Sequence, residues 1–218
     1  MPEIKPTRAI RLREKSSARR RQQKVEVRQA LLEAASELFL EGGLEGFSLR
    51  GVAERAGYSA TTVYLYFSNK DDLLFSVSLE GFETFGGALQ AAYNKADDPI
   101  ARINAIGRAY VTFGVAHPAH YRLMFMERGE FFLKENPNNC EPTSDSFNVL
   151  VQAVHEAHAA GVLNTDSPMS LVYTLWAAVH GLVALTLCVP VMDTRDLETR
   201  TDDLLTTLYH GFGKGVSS

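Results

Sequence analysis

Residues 57 to 70 read GYSATTVYLYFSNK, a short stretch that gathers the hydroxyls of Ser59, Thr61, Thr62, Tyr64 and Tyr66 around one leucine, Leu65. Hydroxyls can donate to phosphate oxygens and to base-edge acceptors, and an apolar side chain can meet a thymine methyl. On one outward helix face these groups would suit the major groove of duplex DNA. An ordinary surface turn rich in Thr and Tyr is the competing explanation. His155 and His158 form a second group, HxxH, with His117, His120 and His180 elsewhere. Spacing three lets two imidazoles share a helix face, but no third ligand or glutamate base stands at a metalloenzyme spacing. No nucleophile elbow or phosphate loop is present either. Solvated surface histidines explain the pair better than a metal site, so neither an enzyme nor a cofactor is expected. The third group is aromatic: Phe113, Tyr121, Phe125, Phe147, Tyr173 and Trp176, with His180 as a polar contact. Such a set can line a small-molecule pocket, or it can simply be core.

The elements that would carry the first group are helical. Val27, Leu31, Ala34 and Leu38 recur at spacings of four, three and four, and the run EGGLEG then interrupts the pattern. Ser48 is placed to cap a second helix that turns Leu49, Val52, Ala53 and Ala56 inward and stops at Gly57; Ser59 can cap a third. In that third helix Val63 and Phe67, four apart, can pack on Val52 and Ala56, which leaves Thr61, Thr62, Leu65 and Tyr66 facing out. Two short helices joined by a glycine-containing turn make a helix-turn-helix.

Charge is distributed unevenly. The 218 residues carry a net charge of -4, yet residues 1 to 75 hold 13 Lys and Arg against 10 Asp and Glu, while residues 76 to 218 hold 9 against 16. Ten of the basic groups, Arg19, Arg20 and Arg21 among them, lie in residues 1 to 28 beside only three acidic ones. A solubilising tail, a nucleic-acid contact and an anionic membrane surface are all compatible with that arm alone. Beside an outward face of hydroxyls, it is the electrostatic partner a DNA-reading helix needs. Two cysteines, Cys140 and Cys188, in no CxxC spacing give neither a disulfide scaffold nor a zinc site, and the N-terminus lacks the apolar stretch of a secretory signal. A reducing cytoplasm is the expected setting.

The run ALLEAASELFLEGGLEGFSLRGVAERAGYSATTVYLYFSNKDDLL resembles the DNA-binding domain of the tetracycline-repressor family of bacterial regulators, most specifically in FSLRGVAERAG, in TTVYLYFSNKDDLL and in the pair Tyr64 and Phe67. The resemblance implies an all-α homodimer that binds double-stranded operator DNA as a repressor and leaves it when a small-molecule effector binds the C-terminal domain. By position it implies phosphate contacts from Ser48 and Lys70, groove contacts from Thr61, Thr62 and Tyr66, and Tyr64 against the backbone. Ser59 sits at the start of the reading helix. Ser68 and Asp71 resemble a capping box. The organisation expected is a flexible basic arm over 1–23, the helix-turn-helix over 24–70, and a ligand-binding and dimerisation domain over 71–218. HPAHYRLMF and WAAVHG, with Trp176, His180 and Gly181, are similar to a C-terminal domain type of this family named for those three residues.

Further helices are expected at 70–95, 99–116, 118–127, 144–160, 168–189 and 195–212, with a loop over 128–143. Gly81, Gly86 and Gly87 would weaken the first of these, by a bend or by close packing. Residues 167 to 192 contain no charged side chain and could span a bilayer by length, but a dimer-core helix would look the same, and no membrane is expected. In that helix Ala177, Gly181 and Ala184 form a stripe of small residues. With Leu204, Leu208 and Phe212 of the last helix they would make the dimer interface as a four-helix bundle. No cluster of Lys or Arg faces the aromatic group, so the effector is expected to be neutral, hydrophobic or cationic.

Overall fold

The computed structural model describes residues 8–128, 145–189, 191–192 and 194–212. Its elements are helices, as expected. They are α1 (Arg8–Gly46), α2 (Leu49–Ala56), α3 (Ala60–Tyr64), α4 (Lys70–Lys95), α5 (Pro99–Ala116) and α6 (Pro118–Tyr121), which continues as a π-helical turn over Arg122–Glu127. Then follow α7 (Asp145–Ala159), α8 (Pro168–Cys188) and α9 (Leu197–Phe212). The expected loop over 128–143 lies almost wholly outside the described residues. Two compact units divide between Val77 and Ser78, inside α4 and past the expected break at 70.

The N-terminal unit is built on α1, which begins at Arg8, within the segment expected to be a flexible arm. Residues 8–26 contain neither Gly nor Pro and are rich in Arg, Lys, Gln, Glu and Ala, all strong helix formers, so local propensity favours the helix there. Residues 15–26 are exposed all round. At the other end Gly43, with φ 59° and ψ -162°, kinks the helix where EGGLEG was expected to break it. Between these ends Leu31, Leu32, Ala35 and Phe39 are buried, as are Val52 of α2, Val63 of α3 and Phe67 in the turn after it. Arg55 of α2 reaches Glu41 of α1 at 2.7 and 2.5 Å and Glu37 at 3.5 Å. The hydrogen bond from Arg55 holds the Glu41 carboxyl below its ordinary pKa.

Caps fix the short helices. Ser48 Oγ accepts the Gly51 N–H at 3.1 Å, and α2 ends at Gly57 in the left-handed conformation, φ 73°, which glycine adopts without penalty. Ser59 Oγ accepts the Thr62 N–H at 3.1 Å. The start of α4 departs from expectation by one residue. Asn69 Oδ1 accepts the Asp72 N–H at 2.9 Å while Asp72 Oδ2 accepts the Ser68 N–H at 2.8 Å, so Asn69 and Asp72, rather than Ser68 and Asp71, supply the capping side chains. Asn is as good a cap as Ser, and the sequence SNKDD contains both registers.

The C-terminal unit has a continuous core drawn from α4, α5, α7, α8 and α9 and the turn after α6, including Phe82, Phe85, Tyr110, Tyr121, Met124, Val154, Val172 and Val183. Asp98 caps α5 by accepting the Ala101 N–H at 2.7 Å, and Pro99 starts the helix, where its missing N–H costs nothing. On α7, Glu156 accepts from Tyr93 of α4 at 2.6 Å and from Arg102 of α5 at 2.7 Å, joining three helices; these hydrogen bonds, Tyr93's first, keep its carboxyl below the ordinary range. Of the two explanations for the glycines of α4, close packing holds at Gly81: a Cβ there would lie 2.6 Å from Met124 Sδ and 2.9 Å from His120 Cβ. Gly114 of α5 is tighter still, with Val183 Cγ1 of α8 at 2.5 Å from the same imagined atom. α8 is long and apolar enough to cross a membrane by length and composition, yet Leu171, Val172, Leu175, Val179 and Val183 set one face of it in the core.

Candidate functional site

Each unit offers one surface with chemical character. In the N-terminal unit, Val63 and Phe67 are 0% and 1% exposed, as their spacing requires, and the opposite side of α3 and the turn after it lies open. Tyr64 is 60% exposed and Leu65 75%; Thr61 is exposed and Tyr66 half-buried. Thr62 is drawn back towards the cap, its hydroxyl 2.9 Å from Ser59 Oγ, so of the expected hydroxyls it has the least freedom to leave the protein. Ser48 is exposed, and accepting a hydrogen bond as a cap leaves its own O–H to donate elsewhere. Lys70, whose family position implies a phosphate contact, also has a partner within the protein. Its Nζ donates to the Leu44 carbonyl near the end of α1 and lies 6.0 Å from the centre of the Phe47 ring. Arg19, Arg20 and Arg21 are exposed on α1. Arg28, nearer the core, lies over the Phe67 ring at 5.5 Å, so the back of the reading helix rests against a cation of α1.

In the C-terminal unit a narrow cavity of about 30 Å³ runs between α4, α5, the π-helical turn, α7, α8 and α9. That is room for one or two waters, so a larger guest has to push the walls apart. Of the seven aromatic-group residues expected to bind ligand, Phe125, Phe147 and Trp176 line the cavity. Tyr121 and His180 stand behind that wall, joined to it through Tyr110. Trp176 Nε1 donates to Tyr110 Oη at 3.2 Å, Tyr110 Oη is 3.1 Å from Tyr121 Oη, and Tyr121 Oη is 2.6 Å from His180 Nδ1. With neutral His180 accepting at Nδ1 the donors run in one direction, Trp176 to Tyr110 to Tyr121 to His180. Burial supports that protonation pattern, pushing Tyr110 up to about 12, raising Tyr121 and lowering His180. Phe113 packs beneath, its ring 5.0 Å from that of Phe85, and does not line the cavity. Tyr173 is 55% exposed and stacks on the outer side of Phe147, so it too falls outside.

Sequence reasoning passed over Phe85, Leu89, Ile106, Tyr110, Ser146 and Leu205, all of which face the cavity. Nothing in a helical periodicity separates a side chain that fills a core from one that borders a gap in it. The π-helical turn carries Phe125 into this wall, and π-turns recur where helices are bent to function. His155 and His158 are exposed on α7, and among the described residues no three His, Cys, Asp or Glu side chains gather as metal ligands.

The outer face of α8 is open as well. Ala177 is exposed, a Cβ added at Gly181 would meet nothing within 4 Å, and Leu185 is 47% exposed. Ala177, Gly181 and Leu185 border a shallow groove whose other side is Leu204 and Thr207 of α9, with Arg200 and Asp203. Ala184 is half-buried, Leu208 packs on the edge of the core, and Phe212 closes α9 with its side chain outside the described residues.

Two family models match the chain: residues 31–77 match that of bacterial regulatory proteins of the tetR family, and residues 103–208 match a tetracyclin repressor-like C-terminal domain. The HTH-type transcriptional activator FasR of Mycolicibacterium smegmatis is 31% identical over 100 residues, 46% of this chain and 46% of its own length. The HTH-type transcriptional regulator RutR of Escherichia coli K12 is 25% identical over 154 residues, 69% of this chain and 71% of its own. The chain thus spans about half the length of FasR and of the mycobacterial regulators it matches. Among solved structures, that of the fatty acid degradation regulator FadR from Bacillus halodurans superposes with a TM-score of 0.71 at 19% identity, covering 83% of this chain and 93% of that one, a likeness of fold.

Proposed function

Because the chain belongs to the tetracycline-repressor family of bacterial regulators, we propose that it is a ligand-responsive transcriptional regulator. It binds a pseudo-palindromic operator in double-stranded DNA as a homodimer and leaves it when a small molecule enters the C-terminal cavity. The observation that carries this reading is the outward side of α3, where Thr61, Tyr64 and Leu65 are exposed directly above the buried anchors Val63 and Phe67. Tyr64 and Leu65, 60% and 75% exposed, present apolar surface beside the Thr61 hydroxyl, and a major groove offers thymine methyls and base-edge acceptors to that combination. The exposed basic residues of α1 add the sequence-independent attraction to phosphate.

The homodimer is supported by the open face of α8. Small residues at Ala177 and Gly181 let a second copy approach closely, and a two-fold axis through α8 and α9 would close the bundle on itself. Two reading helices so related require related half-sites. Work of this kind is done where the DNA is, in the cytoplasm, and it calls for neither catalysis nor a cofactor. Selection from random duplex DNA followed by sequencing tests the reading. A symmetric site is expected to emerge, and enrichment of no symmetric site would refute it.

A further inference from the structure

The cavity wall holds one polar group that the protein itself leaves unserved. Ser146, in the first turn of α7, is 4% exposed and is one of the residues that line the cavity, and its Oγ is buried with no hydrogen-bond partner among the described residues. A hydroxyl sealed from water without a partner destabilises the fold that carries it, and alanine would fit the same space. The remaining polar atoms of the wall are different in kind. Tyr110 Oη and Trp176 Nε1 are engaged with one another and, through Tyr110, with Tyr121 and His180. Among the described residues the rest of the lining is aliphatic, aromatic or glycine, and none of it carries a charge. A carboxylate or an ammonium moved into such a wall would lose its hydration and gain no counter-charge.

We propose that Ser146 Oγ is the anchor of the effector cavity, and that the molecule it holds is uncharged and mainly apolar, with one hydrogen-bonding oxygen of the alcohol, ketone or ester kind. This narrows the range of neutral, hydrophobic or cationic effectors that the sequence allows, and it rests on the ligand-responsive reading above. The apolar body lies among Phe85, Ile106, Phe147 and Leu205, and the oxygen pairs with the serine hydroxyl, which can donate to a carbonyl or accept from an alcohol.

Trp176, the single tryptophan of the chain, is in the wall and serves as the reporter. The full-length protein is titrated with four eight-carbon probes, 1-octanol, 2-octanone, octanoate and octylammonium, while its tryptophan emission is followed. Saturation by octanol and octanone is expected at concentrations at least about tenfold below those needed for the two ions, the discrimination that one unmatched charge or lost buried hydrogen bond commonly gives. Ser146→Ala is expected to weaken octanol about tenfold while raising the melting temperature of the probe-free protein, which also shows that the variant folds. Ser146→Cys, with a weak S–H donor, falls between the two. Saturation by octanoate or octylammonium at equal or lower concentration overturns the assignment, as does no saturation by any probe or an unchanged octanol constant in Ser146→Ala. Operator affinity measured alongside separates the two readings. Octanol that binds through Ser146 yet leaves operator affinity unaltered removes the regulatory role of the cavity and keeps the anchor.

Discussion

Gly114→Ala is the most direct test of how α5 and α8 are packed. The added Cβ would stand 2.5 Å from Val183 Cγ1, 3.0 Å from Val183 Cγ2 and 3.2 Å from Tyr121 Cδ2. Carbon atoms in contact settle at roughly 3.5–4.0 Å, so the two helices have to part by about 1 Å. Turning Val183 about χ1 gives no escape, since both its methyls already face the glycine. Overpacking of this kind costs about 1–3 kcal/mol, and with two neighbours crowded the upper half applies. The better helix propensity of alanine returns about 1 kcal/mol. A net loss of about 1–2 kcal/mol remains, a fall in melting temperature of roughly 3–8 °C for a unit of this size. Thermal unfolding followed by circular dichroism measures it. Gly87→Ala is the control, on an exposed part of α4 where a Cβ meets nothing within 4 Å, and should gain about 0.5–1 kcal/mol. Val183→Ala empties the space the new methyl wants, so the double variant should be more stable than the sum of the single effects by about 1 kcal/mol or more. A Gly114→Ala protein that melts at or above the parent, or strict additivity in the pair, would refute the close crossing.

Stability should fall as pH is lowered from 7 to 5. His180 is held neutral by burial, its folded pKa lies below the unfolded value of about 6.5, and the unfolded chain therefore takes up a proton the folded one refuses. Denaturation at a series of pH values should show a shallower fall in His180→Gln, and an identical slope would mean that His180 does not contribute. Thr61→Ala and Tyr66→Ala should each change base preference at particular operator positions by about 1–3 kcal/mol where the contact is direct, read by repeating the selection on each variant. Uniform loss across all sequences would move the residue to the phosphate contacts. Leu208→Glu should give a monomer with weakened operator binding, and a protein still fully dimeric by sedimentation at low micromolar concentration would place the interface elsewhere.

Much of this architecture was legible in the sequence because the helices are bounded by short-range chemistry. Ser48, Gly57 and Ser59 act on groups within five residues, so they work in the fold as they read on the page. The exceptions are instructive. SNKDD contains two equally good capping registers, and the pattern cannot choose between them. The family position of Lys70 implies a phosphate contact but says nothing of its partner within the protein, the Leu44 carbonyl 26 residues away, which only folding brings near. The cavity was half visible: aromatic residues announced it, but Tyr110 and Phe85 have the spacing of plain core residues. Ser146 in SDSFNVL has the composition of a helix start, and its lack of a partner is a property of the packed structure alone. The helical course of residues 8–23 was hidden by their charge, which argues for repulsion in an unstructured arm while each residue separately favours a helix.

That helical course changes what three consecutive arginines can do. On a flexible tether Arg19, Arg20 and Arg21 could converge on a single run of phosphates. On α1 each successive side chain is rotated by about 100°, so the three spread over some 200° and no single surface can meet them all. The residues that share a face are Arg20, Lys24 and Arg28, four apart, about 6 Å along the axis and about 40° round it from one to the next. The last of these already lies over Phe67, the residue that anchors the underside of the reading helix. A ladder of positive charge therefore climbs away from the helix-turn-helix in a slanted stripe, and the remaining arginines of the triplet look out over its flanks.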